Sequence, residues 1–351
     1  MNKILTIIIP TYNMEKYLRR CLASLIIDDA GMRLLEVLVI NDGSKDSSSA
    51  IAHEYQDKYP DTFRVIDKEN GNYGSCINRG LKEATGKYVK VLDADDWFNT
   101  QSLCLVLKKL DALDVDMVLT NNVTVNELGN ITSYSKPKLK EGVELDFNDI
   151  VTLNEYTPIQ MHWIIYKKSI LNRIEYQQTE GMSYTDTEWV LYPSVAVEKV
   201  MYINTYLYCY LVGREGQTMS DEEIVRTSST FLRLVEILFN NSKKYLAQNT
   251  MIHDKFVKDY LYWQTKFLYD RYLLVKRNNL SDLIDFDRLL DSSIISKLDD
   301  TKICGIKYVN IWHKNKCKKL PQWVYFYLDM RFLLRMIKTK IHKKWQCRLI
   351  K

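Results

Sequence analysis

The sequence predicts an α/β protein: a mostly parallel, doubly wound sheet with flanking helices over residues 1–220, followed by a mainly helical region over 221–351. Three observations predict it. Short β-branched runs alternate with helical patterns in units of about 30 residues, the rhythm of right-handed βαβ crossovers. Polar loops rich in Asn, Asp and Gly follow the strand-like runs. After Gly213-Arg-Glu-Gly-Gln-Thr-Met-Ser220 the alternation stops and long helical patterns take over.

The first strand is Ile4 to Pro10, a β-branched run that proline closes. Thr11-Tyr-Asn13 leads into a helix over Met14 to Ile27, with Tyr17, Leu18, Cys21, Leu22, Leu25 and Ile26 at helical spacing. A second strand, Leu34 to Ile40, runs into Asn41-Asp-Gly-Ser44, and Lys45 to Tyr59 returns as a helix. Phe63 to Asp67 is a third strand, Asn70 to Ser75 a loop, and Cys76 to Ala84 a helix. Lys87 to Leu92 is a fourth strand; a helix over Asp96 to Leu110 and a strand over Val115 to Leu119 follow. Asn121 to Leu145 loosens into hairpins around Gly129, Pro137 and Gly142. Beyond them come a helix from Phe147 to Leu153, a strand from Ile159 to Tyr166, and a helical turn from Lys168 to Leu171. Tyr184-Thr-Asp-Thr-Glu188 opens a helix that stops near Pro193, and Lys199 to Val212 reads as one or two tyrosine-rich strands. Long helices are expected over Asp221 to Leu246, Met251 to Arg277 and Ser281 to Leu298, with Ser220-Asp-Glu-Glu223 as a capping box.

Composition narrows the function classes. With 46% hydrophobic and 26% charged residues, the 351-residue chain is an ordinary globular protein. Its seven cysteines show no C-x-x-C pair, which argues for reduced thiols and against a disulfide framework or zinc site. The expected compartment is cytosolic: no signal peptide precedes the first strand, and no run of about 18 apolar residues spans a bilayer. The first strand–helix loop lacks G-x-G-x-x-G, which excludes a dinucleotide-binding oxidoreductase. A sugar nucleotidyltransferase would want a glycine-rich triphosphate loop there, and that too is missing.

The chain is organised around Lys87-Tyr-Val-Lys-Val-Leu-Asp-Ala-Asp-Asp-Trp97, where a buried-type strand ends in Asp93, Asp95 and Asp96. In open parallel sheets ligands collect at the carboxyl ends of strands. Three acids crowded there repel one another and need a cation, and hard oxygen donors favour Mg²⁺ or Mn²⁺. Alone, an Asp-x-Asp is weak, because acid pairs after strands are common turn and N-cap chemistry.

The other strand-end loops strengthen it. Ile8-Ile-Pro-Thr-Tyr-Asn13, Val39-Ile-Asn-Asp-Gly-Ser-Lys-Asp46, Asn78-Arg-Gly-Leu81 with Ala84-Thr-Gly-Lys-Tyr88, and Leu92-Asp-Ala-Asp-Asp96 together resemble the family 2 glycosyltransferases of GT-A fold. The resemblance is close over residues 4–97 and looser to about 220. It implies a metal-dependent, inverting glycosyltransferase of hexosyltransferase type that takes a nucleotide-sugar, UDP-linked by family habit. The acceptor would be a hydroxyl of a glycan or lipid-linked glycan, in cell-surface polysaccharide biosynthesis. Pro10, Thr11 and Tyr12 would line the nucleotide pocket, Asp42 would contact the nucleoside, Asp93 would approach the ribose, and Asp95 would hold Mn²⁺ or Mg²⁺. Asn78 and Arg79 sit where the family closes its pocket. The implied base is Asp186, with Thr185 standing where the family frequently has Glu; the bland reading makes Asp186 a first-turn helix acid. Arg214 resembles an arginine folded over the donor diphosphate, or is an arginine in a glycine turn held by Glu215. His162 and Trp163 border the acceptor side or are structural. Asp96 is expected to cap the following helix rather than to ligate. The alternative from another class is a non-catalytic nucleotide-sugar-binding subunit that supports a partner transferase.

Charge divides the chain. From Lys302 to Lys351 there are 14 Lys and Arg against one acid, Asp329, whereas the remainder carries 35 basic and 43 acidic residues. The tail interleaves aromatics such as Trp323, Phe326 and Trp345 with basic residues. Either it makes peripheral contact with an anionic membrane, or it packs on the acidic body with its charges solvated. Nucleic acid is not expected, since no recognised module accompanies the basic charge.

Overall fold

The computed structural model describes residues 2–153, 159–214, 221–246, 251–275, 280–302 and 306–330. The chain divides into two compact units, Met1–Ser220 with Asn240–Tyr260, and Asp221–Phe239 with Leu261–Lys351.

In the first unit the strands are β1 (Leu5–Thr11), β2 (Leu35–Asn41), β3 (Phe63–Asp67), β4 (Tyr88–Val91), β5 (Trp97–Phe98), β6 (Met117–Asn126), β7 (Ile131–Ser135), β8 (Glu144–Asp146), β9 (Ile164–Lys167) and β10 (Lys199–Val212). Its helices are α1 (Glu15–Ala23), α2 (Asp29–Leu34), α3 (Ser48–Lys58), α4 (Asn72–Glu83), α5 (Thr100–Ala112), α6 (Phe147–Leu153), α7 (Lys168–Arg173) and α8 (Asp186–Ser194). The strands form one mixed sheet in the order β3-β2-β1-β4-β9-β6-β10-β5, with β7 on β6 and β8 on β10. β3, β2, β1 and β4 run parallel, and the near-continuous Val/Ile/Leu runs of β1 and β2 are those of strands buried on both faces, whereas β3 is a partly exposed edge strand. β9 enters antiparallel between β4 and β6. Leu5, Ile7, Ile9, Val37 and Val39 are fully buried and pack in one core with Leu18 and Leu22 of α1 and Leu103 and Leu107 of α5. Each such side chain contributes about 1.5–3 kcal/mol by leaving water.

Several expectations are corrected. The helix after the Asp cluster starts at Thr100, not Asp96, and Asn99 caps it by accepting from the Ser102 N–H at 2.9 Å. Asp96 is instead fully buried. Four of the six residues of the expected 70–75 loop are helical, because α4 begins at Asn72. Of the expected 159–166 strand, Met161–Trp163 is a 3₁₀ turn and pairing starts at Ile164. A short helix, α2, capped by Asp28, was not expected at all.

Residues 240–260 join the first unit through aromatic packing: Phe147 stacks on His253 at 5.4 Å and meets Phe256 edge-on at 5.2 Å, and the Tyr260 hydroxyl donates to Thr187 O. The helical region contains α9 (Asp221–Leu246), α10 (Met251–Tyr269), a π-helical turn over Asp270–Val275, α11 (Ser281–Asp287), α12 (Ser292–Asp300) and α13 (Tyr308–Lys314). The helix expected over 281–298 is thus two, because Asp291 accepts from the Ser293 and Ile294 N–H groups and starts a new one. The second unit's core contains Leu234, Val235, Phe286, Tyr308 and Trp312, with the Arg271 guanidinium 4.1 Å from the Phe231 ring. Residues 322–330 are helical, burying Val324 and Leu328 while Trp323 and Phe326 stay exposed. The rest of the basic tail, 331–351, and the capping residue Ser220 lie outside the described residues. No described helix is long and apolar enough to cross a membrane.

Candidate active site

Parallel pairing brings the loops after β1, β2, β3 and β4 to one edge. Thr11 faces Asn41 in register and Asn41 faces Asp67, while β4 lies beside β1 with Val91 opposite Ile8. Backbone bonds continue past the strands: the Asp42 N–H donates to Thr11 O and the Lys68 N–H to Asn41 O. Side chains then lock the first two loops, with the Lys45 N–H donating to Asn13 Oδ1 at 2.7 Å and the Glu15 N–H to Asp46 Oδ2 at 3.0 Å. Asn13 takes φ 53°, a left-handed conformation that asparagine tolerates. Thr11 is buried, Pro10 is half-buried, and Tyr12 is exposed beside them.

Asp42 is buried, and its Oδ1 accepts from Lys68 Nζ at 2.6 Å and from the Gly71 N–H at 2.9 Å. Lys68 also donates to Ser75 Oγ at 2.9 Å, so one ammonium ties the β2 and β3 loops to the first turn of α4.

The three acids after β4 take different partners. Asp93 Oδ1 accepts from the Tyr73 hydroxyl at 2.9 Å, and burial with the neighbouring Asp95 pushes its carboxyl up to about 7. Asp95 Oδ2 receives Arg214 Nε at 2.5 Å, and its carbonyl accepts from Arg20, whose guanidinium lies 3.7 Å from the Trp97 ring centroid. Asp96 is committed on both oxygens, accepting from the Tyr208 hydroxyl and the Leu211 N–H, each at 2.7 Å. It anchors β10 beneath the site, and burial first, then Asp95 and Asp93, holds its carboxyl far above the usual range.

Asp186 is the first residue of α8 and half-buried. Its charge acts, after the larger effect of burial, to raise the pH at which Asp93, Tyr73 and Tyr210 ionise. The segment leading to it is pinned onto α4. Asn78 Nδ2 donates to Gln178 O at 2.9 Å and to Glu180 Oε1 at 2.8 Å, and Asn78 Oδ1 accepts from the Gln178 N–H at 2.8 Å. Thr185 is buried and accepts from Gln178 Nε2 at 3.0 Å, while Glu188, also buried, accepts from both the N–H and hydroxyl of Thr179. Asn78 therefore holds the loop before Asp186, while Arg79 turns away to pair with Glu83. Of the expected 213–218 loop, Gly213 and Arg214 fall within the described residues and 215–218 lie outside them.

Three participants carry little sequence signal. Tyr73 sits in a stretch that reads as loop, Tyr208 is one of several tyrosines in β10, and Lys90 lies inside a core strand. Lys90 is fully buried and donates to the carbonyls of His162 and Ile164. His162 lies with its ring centroid 4.6 Å from that of Tyr208, and its buried Nδ1 has no hydrogen-bond partner among the described residues. Burial and Lys90 push its imidazole down to about 3, so it stays neutral.

Family resemblance implies a divalent cation here, and the donor set fits one. Ligating atoms of Asp93, Asp96 and His162 all lie within 4.8 Å of one another, next to an imidazole nitrogen that lacks a partner. Carboxylate oxygens suit Mn²⁺ or Mg²⁺, and an imidazole beside them favours the transition metal Mn²⁺ over Mg²⁺. The residues that would hold the ion are those of this group, Asp96 already accepting from β10 on both oxygens; Asp95, the expected ligand, is not in the group and is paired with Arg214.

The comparisons agree with this architecture. The family model described as "Glycosyl transferase family 2" matches residues 6–190. Glycosyltransferase GlyA of Streptococcus pneumoniae is 27% identical over 221 residues, which is 60% of this chain and 31% of that protein. Poly(ribitol-phosphate) β-N-acetylglucosaminyltransferase TarS of Staphylococcus aureus is 29% identical over 216 residues, 61% of this chain and 36% of that one. The chain thus matches about a third of the length of these curated relatives. Among solved structures, S. aureus TarS 1–349 in complex with UDP-GlcNAc superposes with TM-score 0.64 at 18% identity, covering 84% of this chain and 83% of that one. A mannosyltransferase from Pyrobaculum calidifontis, in complex with GDP-Man and Mn²⁺, gives TM-score 0.51 at 15% identity over 85% of this chain and 83% of that one. A family match across more than half the chain, on a GT-A-like sheet whose parallel strands are followed at one edge by Asp42, Asp93 and Asp95, leads to one conclusion: the chain belongs to glycosyl transferase family 2.

Proposed function

We propose that the protein is a metal-dependent, inverting glycosyltransferase that moves a sugar from a UDP-linked donor to a hydroxyl of a glycan or lipid-linked glycan, in assembly of a cell-surface polysaccharide. The observation that carries this reading is that Asp42 just after β2 and Asp93 and Asp95 just after β4 lie beyond the ends of strands that both pair parallel with β1, with Asp93 held by the Tyr73 hydroxyl. The names of the S. aureus and S. pneumoniae relatives support the reaction class, and UDP-GlcNAc in the TarS structure supports the donor.

Asp42 and the Pro10-Thr11-Tyr12 edge receive the nucleoside. Asp93, held by Tyr73, and Asp95 face the diphosphate side, and Arg214 is in reach of it. A bound divalent cation supplies charge neutralisation of the departing diphosphate. The Asp186 carboxylate accepts the acceptor's hydroxyl proton as that oxygen bonds to the anomeric carbon. The anomeric carbon–oxygen bond to the diphosphate breaks, the electron pair leaves with the nucleoside diphosphate, and the configuration inverts. Asn78, Gln178 and Glu188 fix the backbone on which Asp186 is presented. The basic C-terminal segment and exposed Trp323 and Phe326 support a peripheral seat on anionic lipid, where a lipid-linked acceptor resides. Sedimentation with anionic but not neutral vesicles checks that seat.

The test is a panel of nucleotide-sugars with and without Mn²⁺, read as nucleoside diphosphate release and as product anomer by NMR. UDP release that needs the ion and fails in Asp186→Asn supports the proposal. Binding of UDP without turnover of any donor would instead support the non-catalytic subunit.

A further inference from the structure

A second donor cluster lies in the helical unit, independent of the glycosyl-transfer site. Asp287 ends α11, His313 sits in the last turn of α13, and Cys317 follows in the turn after it. Asp287 Oδ2 is 3.2 Å from Cys317 Sγ, and its Oδ1 is 3.8 Å from His313 Nε2. Ligating atoms of all three residues lie within 4.8 Å of one another. Zinc bonds of about 2.0–2.3 Å in a tetrahedron put neighbouring donors about 3.3–3.8 Å apart, close to both measured separations.

The partners around the cluster are those of a ligand set. Asp299 Oδ1 sits 2.8 Å from His313 Nδ1. A proton on Nδ1 directed at that carboxylate leaves the lone pair on Nε2, which lies 3.8 Å from Asp287 Oδ1 and 3.4 Å from the Tyr269 hydroxyl; outer carboxylates fix metal-bound histidines in the same tautomer. The Tyr269 hydroxyl and Trp312 Nε1 donate to the Asp287 carboxylate and fix its orientation. All three donors are half-buried, so an ion has a route in.

We propose that Asp287, His313 and Cys317 form a zinc site that fastens the end of α11 to the end of α13. One thiolate, one imidazole and one carboxylate suit zinc and not the hard ions expected at Asp95. Three protein donors leave one coordination position for water. No C-x-x-C marks the site; its only trace in the sequence is His313 and Cys317 four positions apart.

The experiment uses the full chain, stripped with a chelator and titrated with Zn²⁺ against a chromophoric competitor. One zinc per chain is expected, unchanged in Asp95→Asn, at least about tenfold weaker in Cys317→Ser and His313→Asn, and about 10–100-fold weaker in Asp299→Asn. Co²⁺ substitution should show thiolate charge-transfer absorption that Cys317→Ser lacks. Should the variants not fold, the wild-type chain still decides: Zn²⁺ must protect Cys317 from alkylation while leaving the half-buried Cys104 as reactive as before. No zinc uptake, uptake that survives both ligand variants, or an unprotected Cys317 would overturn the proposal.

Discussion

Arg214 Nε lies 2.5 Å from Asp95 Oδ2, with both side chains largely buried, so the acid expected to hold a cation is held by a guanidinium. Arg214 also sits 5.6 Å from the Tyr17 ring, and Gly213 before it takes φ 92°, a conformation that only glycine adopts freely. An uncompensated carboxylate beside Asp93 and Asp96 is costly, and the ion pair offsets that cost before ligands arrive. Guanidinium also matches phosphate oxygens bidentately, so under the proposed function a donor diphosphate would compete with Asp95 for it.

Two opposite effects therefore follow for Arg214→Ala. Mn²⁺ binding without nucleotide tightens, by about tenfold if the lost competition is worth ~1.4 kcal/mol, while the donor KM rises. Calorimetric titration of Mn²⁺ with and without UDP separates the two. An unchanged metal affinity in the absence of nucleotide would mean that Arg214 and the ion do not share Asp95.

Asp186→Asn keeps the shape of the first turn of α8 and removes the proposed proton acceptor. General-base loss costs about 10²–10⁴-fold in rate, and it should fall on kcat with the donor KM nearly constant. Tyr73 and Asp93 remain paired in the variant, so UDP affinity by fluorescence titration should match wild type. A rise in donor KM equal to the loss in kcat would assign Asp186 to binding.

The inner strands of the parallel half were legible because they are buried on both faces, so run length and branching alone mark β1 and β2. The loops were legible because each needs side chains that bond to neighbouring backbone, as Asn13 and Asp46 do. Local reading failed where distant partners decide. Asp96 has the look of a helix cap, yet Tyr208 and Leu211, more than a hundred positions away, claim both its oxygens. α4 starts early despite Gly71 and Gly74, because Lys68 and the 178–181 segment pack on that first turn. The tether formed by Asn78, Gln178 and Thr185 carries no local signature, and the Asp287–His313–Cys317 cluster joins residues that share no motif.

Gly74 is where α4 and the segment leading to Asp186 touch. A Cβ built there would collide with the backbone carbonyl of Thr179, which cannot swing aside as a side chain would. Gly74→Ala should push 178–181 off the helix, weaken the Asn78 and Glu188 contacts, and destabilise the chain by about 1–3 kcal/mol. Because Asp42, the proposed nucleoside contact, is held separately by Lys68, UDP affinity should fall less than kcat. Urea unfolding and steady-state kinetics on one preparation test the pairing. Loss of stability with kcat intact would show that the tether does not position Asp186.

Lys90 gives the fold a pH dependence of its own. Its ammonium is fully buried under the site, and burial pushes it from 10.5 down to about 7. Below pH 7 both the folded and unfolded chains bind this proton, and the full cost of burying the charge is present. Between about 7 and 10.5 the unfolded chain binds more protons, so stability rises with pH, at most by ~1.4 kcal/mol per unit. Lys90→Met removes that group while leaving two carbonyls, of His162 and Ile164, without their donor. The variant should therefore lose hydrogen bonds at every pH and show a flatter climb than wild type from pH 7 to 10. Urea midpoints across that range measure the difference, and parallel curves for the two proteins would place the titration of Lys90 outside the window.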